Sequence, residues 1–295
     1  MEKLQVKERA ELLDYLFKAL AHYKKTKVRQ MLKFGSVRVN GRVVTLHRHA
    51  LKPGDVIDFL GEKAASVERM KERQQYKIVY EDHDIIVTEK PAGLLTMGTE
   101  KEKEKTLYFM LTEYLRATTD NKKARILIVH RLDRDTSGYV VFAKTETAKR
   151  KLQAQWTDAV KKYYAITEGT PLPMEGVLES ELVEDKFKRV YSVPKHTRFS
   201  RTAVTRYQVM RGNEFYALLE ITLETGRKNQ IRVQFSDAGH PLAGDEKYGA
   251  RTNPIGRLAL HAGFLSIPHP ATGKMMSFGP TLPQIFDQLI KGQIK

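Results

Sequence analysis

The sequence predicts an α+β protein in which a small module of helices and a hairpin precedes a larger domain of strands with flanking helices. Three observations lead to this fold class. Residues 1–61 carry two helical patterns and a hairpin signal, residues 62–75 are charged without apolar periodicity, and residues 76–295 begin with short apolar runs bounded by turn residues. We therefore expect two domains, 1–61 and 76–295, joined by a linker of residues 62–75.

The composition indicates a partner that carries negative charge. Lys and Arg total 51 against 35 Asp and Glu, which gives the chain of 295 residues a net charge of +16. No apolar run reaches bilayer length and no signal-peptide pattern is present, so nucleic acid is favoured over a membrane. The Cys count of 0 excludes a disulfide framework, a zinc–thiolate site and thiol catalysis. We expect a monomer in a reducing cytoplasm.

The first module has a clear element order. Apolar residues of 12–20 fall on one helical face, and a second helical pattern over 28–32 ends at Gly35, a residue suited to a helix C-cap. Asn40-Gly41 between alternating apolar residues is a strong hairpin signal, and a further strand follows at 56–59.

Basic residues cluster around the second helix and the hairpin of this module. A solvated surface is the ordinary interpretation of such a cluster, but almost no acid dilutes the stretch from residue 18 to residue 52. We therefore expect these side chains to bind phosphates. The candidates are Lys24, Lys25, Lys27, Arg29, Lys33, Arg38 and Arg42.

The larger domain opens with strands. Apolar runs at 76–80, 85–88, 126–129 and 139–143 have the length and composition of strands, and an amphipathic helix is predicted over 146–155.

Between two of these strands lies the segment 130–138, His-Arg-Leu-Asp-Arg-Asp-Thr-Ser-Gly. Thr, Ser and Gly are ordinary turn residues, and Asp133 with Arg131 could simply cap and pair within the turn. The alternative is that Asp133, directly after a strand, presents its carboxylate to a ligand.

Two later segments also combine aromatic or charged residues with strand and turn patterns. In the strand 161–166, Tyr163 and Tyr164 must point to opposite faces, so at least one belongs to the core. After the turn at Thr225-Gly226, Arg227 and Arg232 can each clamp a phosphate or carboxylate, or form surface ion pairs.

These segments together resemble the RluA family of pseudouridine synthases. That family reads His-Arg-Leu-Asp-x-x-Thr-Ser/Thr-Gly where this chain has 130–138, Lys-x-Tyr-x-Ala at 161–165, and Thr-Gly-Arg-x-His-Gln-Ile-Arg-x-His at 225–234. The chain departs at both histidines of the last pattern, which are Asn229 and Gln234 here. Lys90-Pro91-Ala92-Gly93 matches the turn that usually opens the family's catalytic domain.

The resemblance implies the remaining parts of the fold. It gives the larger domain the pseudouridine-synthase-like fold, a mixed, mainly antiparallel sheet with flanking helices. The element order of the first module is similar to the S-four (alpha-L) RNA-binding domain.

The resemblance also implies site residues and chemistry. Asp133, Tyr163 and Arg232 would be catalytic, with Arg232 paired to Asp133, and we expect Arg131 and Arg227 to contact RNA. The uridine must be flipped out of the stack, and a carboxylate could then attack covalently or assist removal of a ribose proton that leads to a glycal. Tyr163 could act through its ring or its hydroxyl. The isomerisation needs no cofactor and no metal.

Two other functions remain open at this point. The chain could be an RNA-binding protein with an inactive synthase fold, or a metal-dependent nuclease built on Asp133, Asp135 and Asp245, although Arg131 and Arg134 would oppose a divalent cation. For a synthase, we expect ribosomal large-subunit RNA as substrate, with transfer RNA as the second candidate.

Overall fold

A computed structural model describes residues 3–61, 76–100, 102–119 and 121–294 of the chain. The predicted linker, residues 62–75, lies outside these described residues. The described residues divide into two compact units: the first contains those up to Gln74 and those of 111–125, and the second contains those of 75–110 and 126–295. No helix in the described part of the chain is long and apolar enough to span a bilayer.

The first unit begins with two helices and six short strands. The helices are α1 Leu12–Ala19 and α2 Lys25–Lys33, and the strands are β1 Leu4–Gln5, β2 Ala10–Glu11, β3 Val37–Val39, β4 Arg42–Val43, β5 Ala50–Leu51 and β6 Val56–Phe59. Four strands form an antiparallel sheet in the order β1-β6-β3-β4, while β2 pairs with β5. The predicted hairpin joins β3 to β4, with Asn40 and Gly41 both at positive φ. The apolar faces of the two predicted helices supply the core of this unit, which includes Leu12, Leu16 and Leu32.

The later elements include eleven strands, which are β7 Lys77–Glu81, β8 Ile85–Lys90, β9 Leu127–Ile128, β10 Ser137–Ala143, β11 Val160–Glu168, β12 Glu175–Glu184, β13 Val190–Val193, β14 Arg201–Gly212, β15 Tyr216–Leu223, β16 Leu260–Pro268 and β17 Met275–Phe278. The helices are α3 Leu107–Thr118, α4 Glu146–Ala154, α5 Gln230–Asp237 and α6 Gln284–Ile290. Of these, α3 has residues in both units.

The strands of the second unit form one sheet in the order β13-β12-β14-β15-β11-β16-β10-β8-β7, with β9 beside β10 and β17 beside β16. All neighbouring strands are antiparallel except β10 and β16, which are parallel. The predicted mixed, mainly antiparallel sheet is thus confirmed. Helix α4 begins behind Thr145, whose hydroxyl accepts a hydrogen bond from the Ala148 N–H.

The parallel pair explains the glycine that ends the segment 130–138. Gly138 has φ +120°, and a Cβ atom there would lie 2.2 Å from the carbonyl oxygen of Ala262 on β16. Only glycine lets the two central strands approach this closely. The loop that carries Asp133 is therefore held at the start of β10, an interior strand of the sheet.

Candidate active site

The three segments that stood out in the sequence meet at one cavity of about 320 Å³. The loop before β10 contributes Arg131 and Asp133, strand β11 contributes Tyr163, and the turn with helix α5 contributes Arg227 and Arg232. Residues separated by up to about a hundred positions in sequence thus line one concave surface, as expected for a small-molecule or nucleotide site.

The loop is anchored at the residue before Asp133. The Thr96 hydroxyl donates a hydrogen bond to the Leu132 carbonyl over 2.7 Å and accepts one from the Leu132 N–H over 3.2 Å. Thr96 is buried, at 2% exposure, so these bonds are shielded from water. Nothing in the sequence pattern singled out Thr96.

A second anchor holds the residue after Asp133. Lys90 has no exposed surface, and its ammonium donates to the Pro91, Leu94 and Arg134 carbonyls over 2.9, 2.6 and 2.8 Å. Three carbonyls use all three protons of an ammonium group. Burial lowers the pKa of Lys90 to about 7, and the nearby carboxylates oppose this change.

His130 supports the same loop without charge. Its Nε2 accepts a hydrogen bond from the Val141 N–H over 3.1 Å, and its ring lies 4.4 Å from the Trp156 ring. Burial lowers the pKa of His130 to about 3, so the imidazole is neutral at physiological pH. The histidine of the His-Arg-Leu-Asp sequence is therefore a structural residue here.

Asp133 itself is half-buried, and within the described residues its carboxylate has no hydrogen-bond or ion-pair partner. Burial raises the pKa of the Asp133 carboxyl above its usual range. Four cations oppose the rise, in the order Arg232, Arg131, Lys228 and Lys90. The cavity therefore contains an unpaired carboxylate surrounded by positive charge at a distance.

Tyr163 lines the cavity, next to an irregular point of β11. The pairing of β11 with β16 shifts register between Lys162 and Tyr164, and such a bulge re-aims the side chain beside it. Burial, and next the charge of Asp133, raise the pKa of Tyr163, so its hydroxyl keeps its proton at neutral pH. Tyr164 points the other way into the core, where its ring closes on the backbone of Gly263.

Arg232 lies on α5, but its hydrogen bonds differ from the expected pairing with Asp133. Its Nε and Nη2 donate to the two carboxylate oxygens of Asp245, each over 2.6 Å. The guanidinium also lies 4.9 Å from the centre of the Tyr248 ring. Among the described residues no hydrogen bond joins Arg232 to Asp133, so Arg232 acts on Asp133 through its electric field.

The two amides that replace the family's histidines are both buried and hydrogen-bonded. The Asn229 amide donates to the Tyr248 hydroxyl over 2.8 Å, and its backbone has φ +53°, a conformation that asparagine tolerates well. The Gln234 amide donates to the Leu178 and Ala203 carbonyls, and it accepts from the Thr205 hydroxyl. Asn229 lines the cavity, whereas Gln234 ties α5 to the sheet.

The carboxylates of the nuclease alternative do not form a metal-binding cluster among the described residues. Asp245 is occupied by Arg232, and Asp135 is exposed. Within the described ranges, no group of three or more His, Asp or Glu side chains is arranged to hold a metal ion.

The predicted RNA-binding residues of the first module lie in the first unit. Six of the seven are exposed, while Arg38 is half-buried and pairs with Asp58 over 2.5 Å. Lys25 and Arg29 lie 5.5 and 5.2 Å from the centre of the Phe17 ring.

Comparisons with known proteins show the family to which the chain is similar. The family model described as RNA pseudouridylate synthase matches residues 84–237, and the S4 domain model matches residues 12–57. The chain is 33% identical to the uncharacterized RNA pseudouridine synthase YlyB of Bacillus subtilis, over 96% of this chain and 94% of that protein. It is 30% identical to the ribosomal large subunit pseudouridine synthase D of Haemophilus influenzae, over 98% and 93%. The solved structure of human RNA pseudouridylate synthase domain containing 4 is similar with a TM-score of 0.62 and 25% identity, covering 78% of this chain and 96% of that one.

Proposed function

Because the chain belongs to the RNA pseudouridylate synthase family, we propose that it isomerises uridines in ribosomal large-subunit RNA with Asp133 as the catalytic group. The protein is an isomerase of RNA uridine and carries an S4 domain. The ribosomal substrate is supported by relatives whose names state that specificity. We also propose that it works as a cytoplasmic monomer without a cofactor, since the reaction involves no redox change and no external group.

The unpaired carboxylate of Asp133 is the observation that supports this assignment most directly. A carboxylate that only capped a turn would accept hydrogen bonds from nearby backbone N–H groups. Asp133 accepts none from the described residues, although both of its neighbours are firmly anchored. The loop thus holds the carboxylate at the cavity and leaves it available to a ligand.

We propose roles for the other lining residues on the same basis. The Tyr163 ring stacks on the flipped uracil, and Arg131 and Arg227, both exposed at the cavity, bind phosphates of the flipped strand. Arg232 opposes the rise in the pKa of Asp133 and so favours the ionised form of the carboxylate. An ionised Asp133 suits either covalent attack or assistance in removing a ribose proton.

For the domain boundaries, we propose an RNA-binding module of residues 1–61 and a catalytic domain of residues 76–295. The S4 match at 12–57 and the synthase match at 84–237 both fall inside these limits.

The test replaces Asp133 by Asn and uses Asp135→Asn as the matched control, because Asp135 lies two residues away and is exposed. Unmodified transcripts of bacterial large-subunit ribosomal RNA are the substrate, and pseudouridine is mapped at nucleotide resolution. We expect Asp133→Asn to abolish product while RNA affinity and melting temperature stay at or above the wild-type values, since a partly buried charge has been removed. We expect Asp135→Asn to retain most activity. Normal product from Asp133→Asn would disprove the catalytic assignment, and a transcript that wild-type protein leaves unmodified would disprove the ribosomal substrate.

A further inference from the structure

A second cavity of about 380 Å³ adjoins the catalytic one. The two share Glu184, Gly226, Arg227 and Lys228, and the second cavity is also lined by Phe199 and Arg201. We propose that this second cavity binds the nucleotide adjacent to the target uridine, with the Phe199 ring stacked on its base and Arg201 and Arg227 at its phosphates. This inference rests on the proposed function, because it assumes that a flipped RNA strand enters the catalytic cavity.

Phe199 is the anchor of this subsite. Its side chain is 81% exposed, and it precedes β14 in a backbone conformation with φ +67°, which is rare for an aromatic residue. The guanidinium of Arg198 lies 4.7 Å from the ring centre and covers one face. The ring contributes little to the core, and its free face is available to a base. A phenylalanine ring stacks on any of the four bases.

The charges around the cavity suit the backbone of a nucleotide. Arg201 and Arg227 are exposed, and neither forms an ion pair with another described residue. The Nε of Arg227 donates to the Thr202 carbonyl over 3.1 Å, which orients the guanidinium while leaving its terminal nitrogens free. By contrast, the Lys228 ammonium is already held by Glu184 over 2.6 Å. The two arginines are thus the groups available for phosphate.

The partner class follows from this combination of groups. A free aromatic face with two free guanidinium groups is the equipment that proteins use for single-stranded nucleic acid. Removing a uridine from its stack also unstacks its neighbour, which then exposes a base face. The second cavity lies where that neighbour would be when the uridine occupies the first.

The experiment uses the full chain and two exposed phenylalanines. Phe187 is the matched control, because it is 78% exposed with Lys186 at 5.1 Å from its ring but does not line the cavity. Fluorescence anisotropy measures the affinity for a labelled uridine pentanucleotide at low salt, with uridine monophosphate as the one-nucleotide competitor. We expect Phe199→Ala to weaken pentanucleotide binding by roughly 5- to 100-fold and Phe187→Ala by less than twofold. Phe199→Tyr should restore affinity, and uridine monophosphate should bind all variants alike.

The charge contribution has a separate readout. We expect Arg201→Ala to reduce the slope of log affinity against log salt by about 0.7, as for one lost phosphate contact on a single strand. Phe199→Ala should leave that slope unchanged.

Several outcomes would overturn the subsite. One such outcome is that Phe199→Ala and Phe187→Ala weaken pentanucleotide binding equally. Another is that Phe199→Ala weakens the binding of uridine monophosphate as much as that of the pentanucleotide, which would indicate damage to the catalytic cavity. The proposed function fails separately: if ribosomal transcripts are never modified while pentanucleotide binding still depends on Phe199, the subsite stands and the substrate assignment falls. If transcripts are modified normally by Phe199→Ala with unchanged KM, the function stands and the subsite falls.

Discussion

Among the described residues, the carboxylate of Asp133 lacks the partners that a partly buried acid normally has. Burial without a hydrogen bond destabilises its charged form, and the surrounding cations compensate only from a distance. A residue selected for stability alone would be paired, as Asp245 is with Arg232. We therefore interpret Asp245 as a structural carboxylate and propose that Asp133 is kept available for a reaction.

Arg232 should control the acid limb of the pH–rate profile. In the proposed mechanism Asp133 reacts in its ionised form, so we expect activity to fall as the pH drops through its pKa. The double variant Arg232→Met with Asp245→Asn removes the cation that most strongly lowers the pKa of Asp133, and it does not leave a buried, unpaired Asp245 carboxylate. We therefore expect the pKa of Asp133 to rise and the acid limb of the profile to move to higher pH. Lys228→Met should move it less, because Lys228 ranks below Arg232 and Arg131 in its effect. Measuring kcat/KM against pH checks both expectations, with Asp245→Asn alone as the control. If the acid limb does not move in the double variant, Arg232 binds an RNA phosphate and does not tune the pKa of Asp133.

Tyr163 should act through its ring more than through its hydroxyl. Burial and the charge of Asp133 both keep its proton in place, so it is a poor base at neutral pH. We expect Tyr163→Phe to retain turnover within about tenfold of wild type, whereas a role in proton transfer predicts a loss of about two to four orders of magnitude in single-turnover assays. Tyr163→Leu should be poor in either case. The control is Tyr164→Leu, which should lower the free energy of unfolding by about 1–3 kcal/mol because the Tyr164 ring packs in the core. Normal turnover in Tyr163→Leu would contradict the assignment of Tyr163 to the strand face at the cavity.

At this scale, sequence motifs predicted which residues line the cavity but not how they are bonded. Asp133, Tyr163 and Arg232 were named from motif positions, and all three line the cavity. The predicted pairing of Arg232 with Asp133 was wrong. The partner of Arg232 is Asp245, which lies 13 residues further along the chain, and neither helical nor strand periodicity relates these two positions. Thr96 was missed because a buried threonine that bonds a distant backbone leaves no local signature.

Among the elements, the end of β8 and the turn that follows it hold the loop that carries Asp133. Lys90 bonds the backbone after Asp133, and Thr96 bonds the backbone before it, across sequence separations of 44 and 36 residues. One short segment therefore restrains both sides of the carboxylate.

Loss of the Thr96 anchor should loosen the loop without changing its charge. Thr96→Val keeps the shape but leaves the Leu132 N–H and carbonyl unpaired, so we expect a loss of about 1–3 kcal/mol in unfolding free energy and a kcat reduced at least tenfold. Thr96→Ser, which keeps the hydroxyl, should restore most of the kcat. Thr106→Val is the matched control, since Thr106 is equally buried but bonds elsewhere. Chemical denaturation and single-turnover assays measure the two effects, and a full kcat in Thr96→Val would show that the Lys90 anchor suffices.

Local patterns predicted the individual elements better than their arrangement. The apolar runs at 85–88 and 139–143 became β8 and β10, and the amphipathic pattern at 146–155 became α4. The run at 126–129 gave only the two-residue strand β9, and helix α5 went unassigned because buried Gln230, Arg232 and Gln234 obscure its apolar face. The parallel pairing of β10 with β16 joins residues more than a hundred positions apart, and periodicity carries no information about such contacts.

For the whole molecule, the net charge of +16 bears on how RNA is held. Cations of the first unit are mostly exposed, and those at the catalytic cavity sit around a carboxylate. A protein that neutralises phosphates releases counterions, so each contact contributes a fixed increment to the salt dependence of binding. This property separates side chains that touch RNA from those that only add charge.

Neutralising part of the cluster on α2 should therefore flatten the salt dependence of RNA binding. Lys24, Lys27 and Lys33 are exposed on or next to this helix, and changing all three to Gln removes three charges without disturbing a buried contact. We expect the slope of log affinity against log salt, measured with a ribosomal transcript between 50 and 200 mM salt, to fall by about 2 to 3. The control changes Lys77, Arg150 and Lys274, three exposed cations of the second unit, to Gln and should lower affinity only slightly at every salt concentration. If the two triple variants show the same slope, RNA responds to the total charge of the protein and the α2 cluster is not a contact surface. If only the α2 variant loses slope while turnover on saturating RNA is unchanged, the α2 cluster binds the substrate and takes no part in the chemistry.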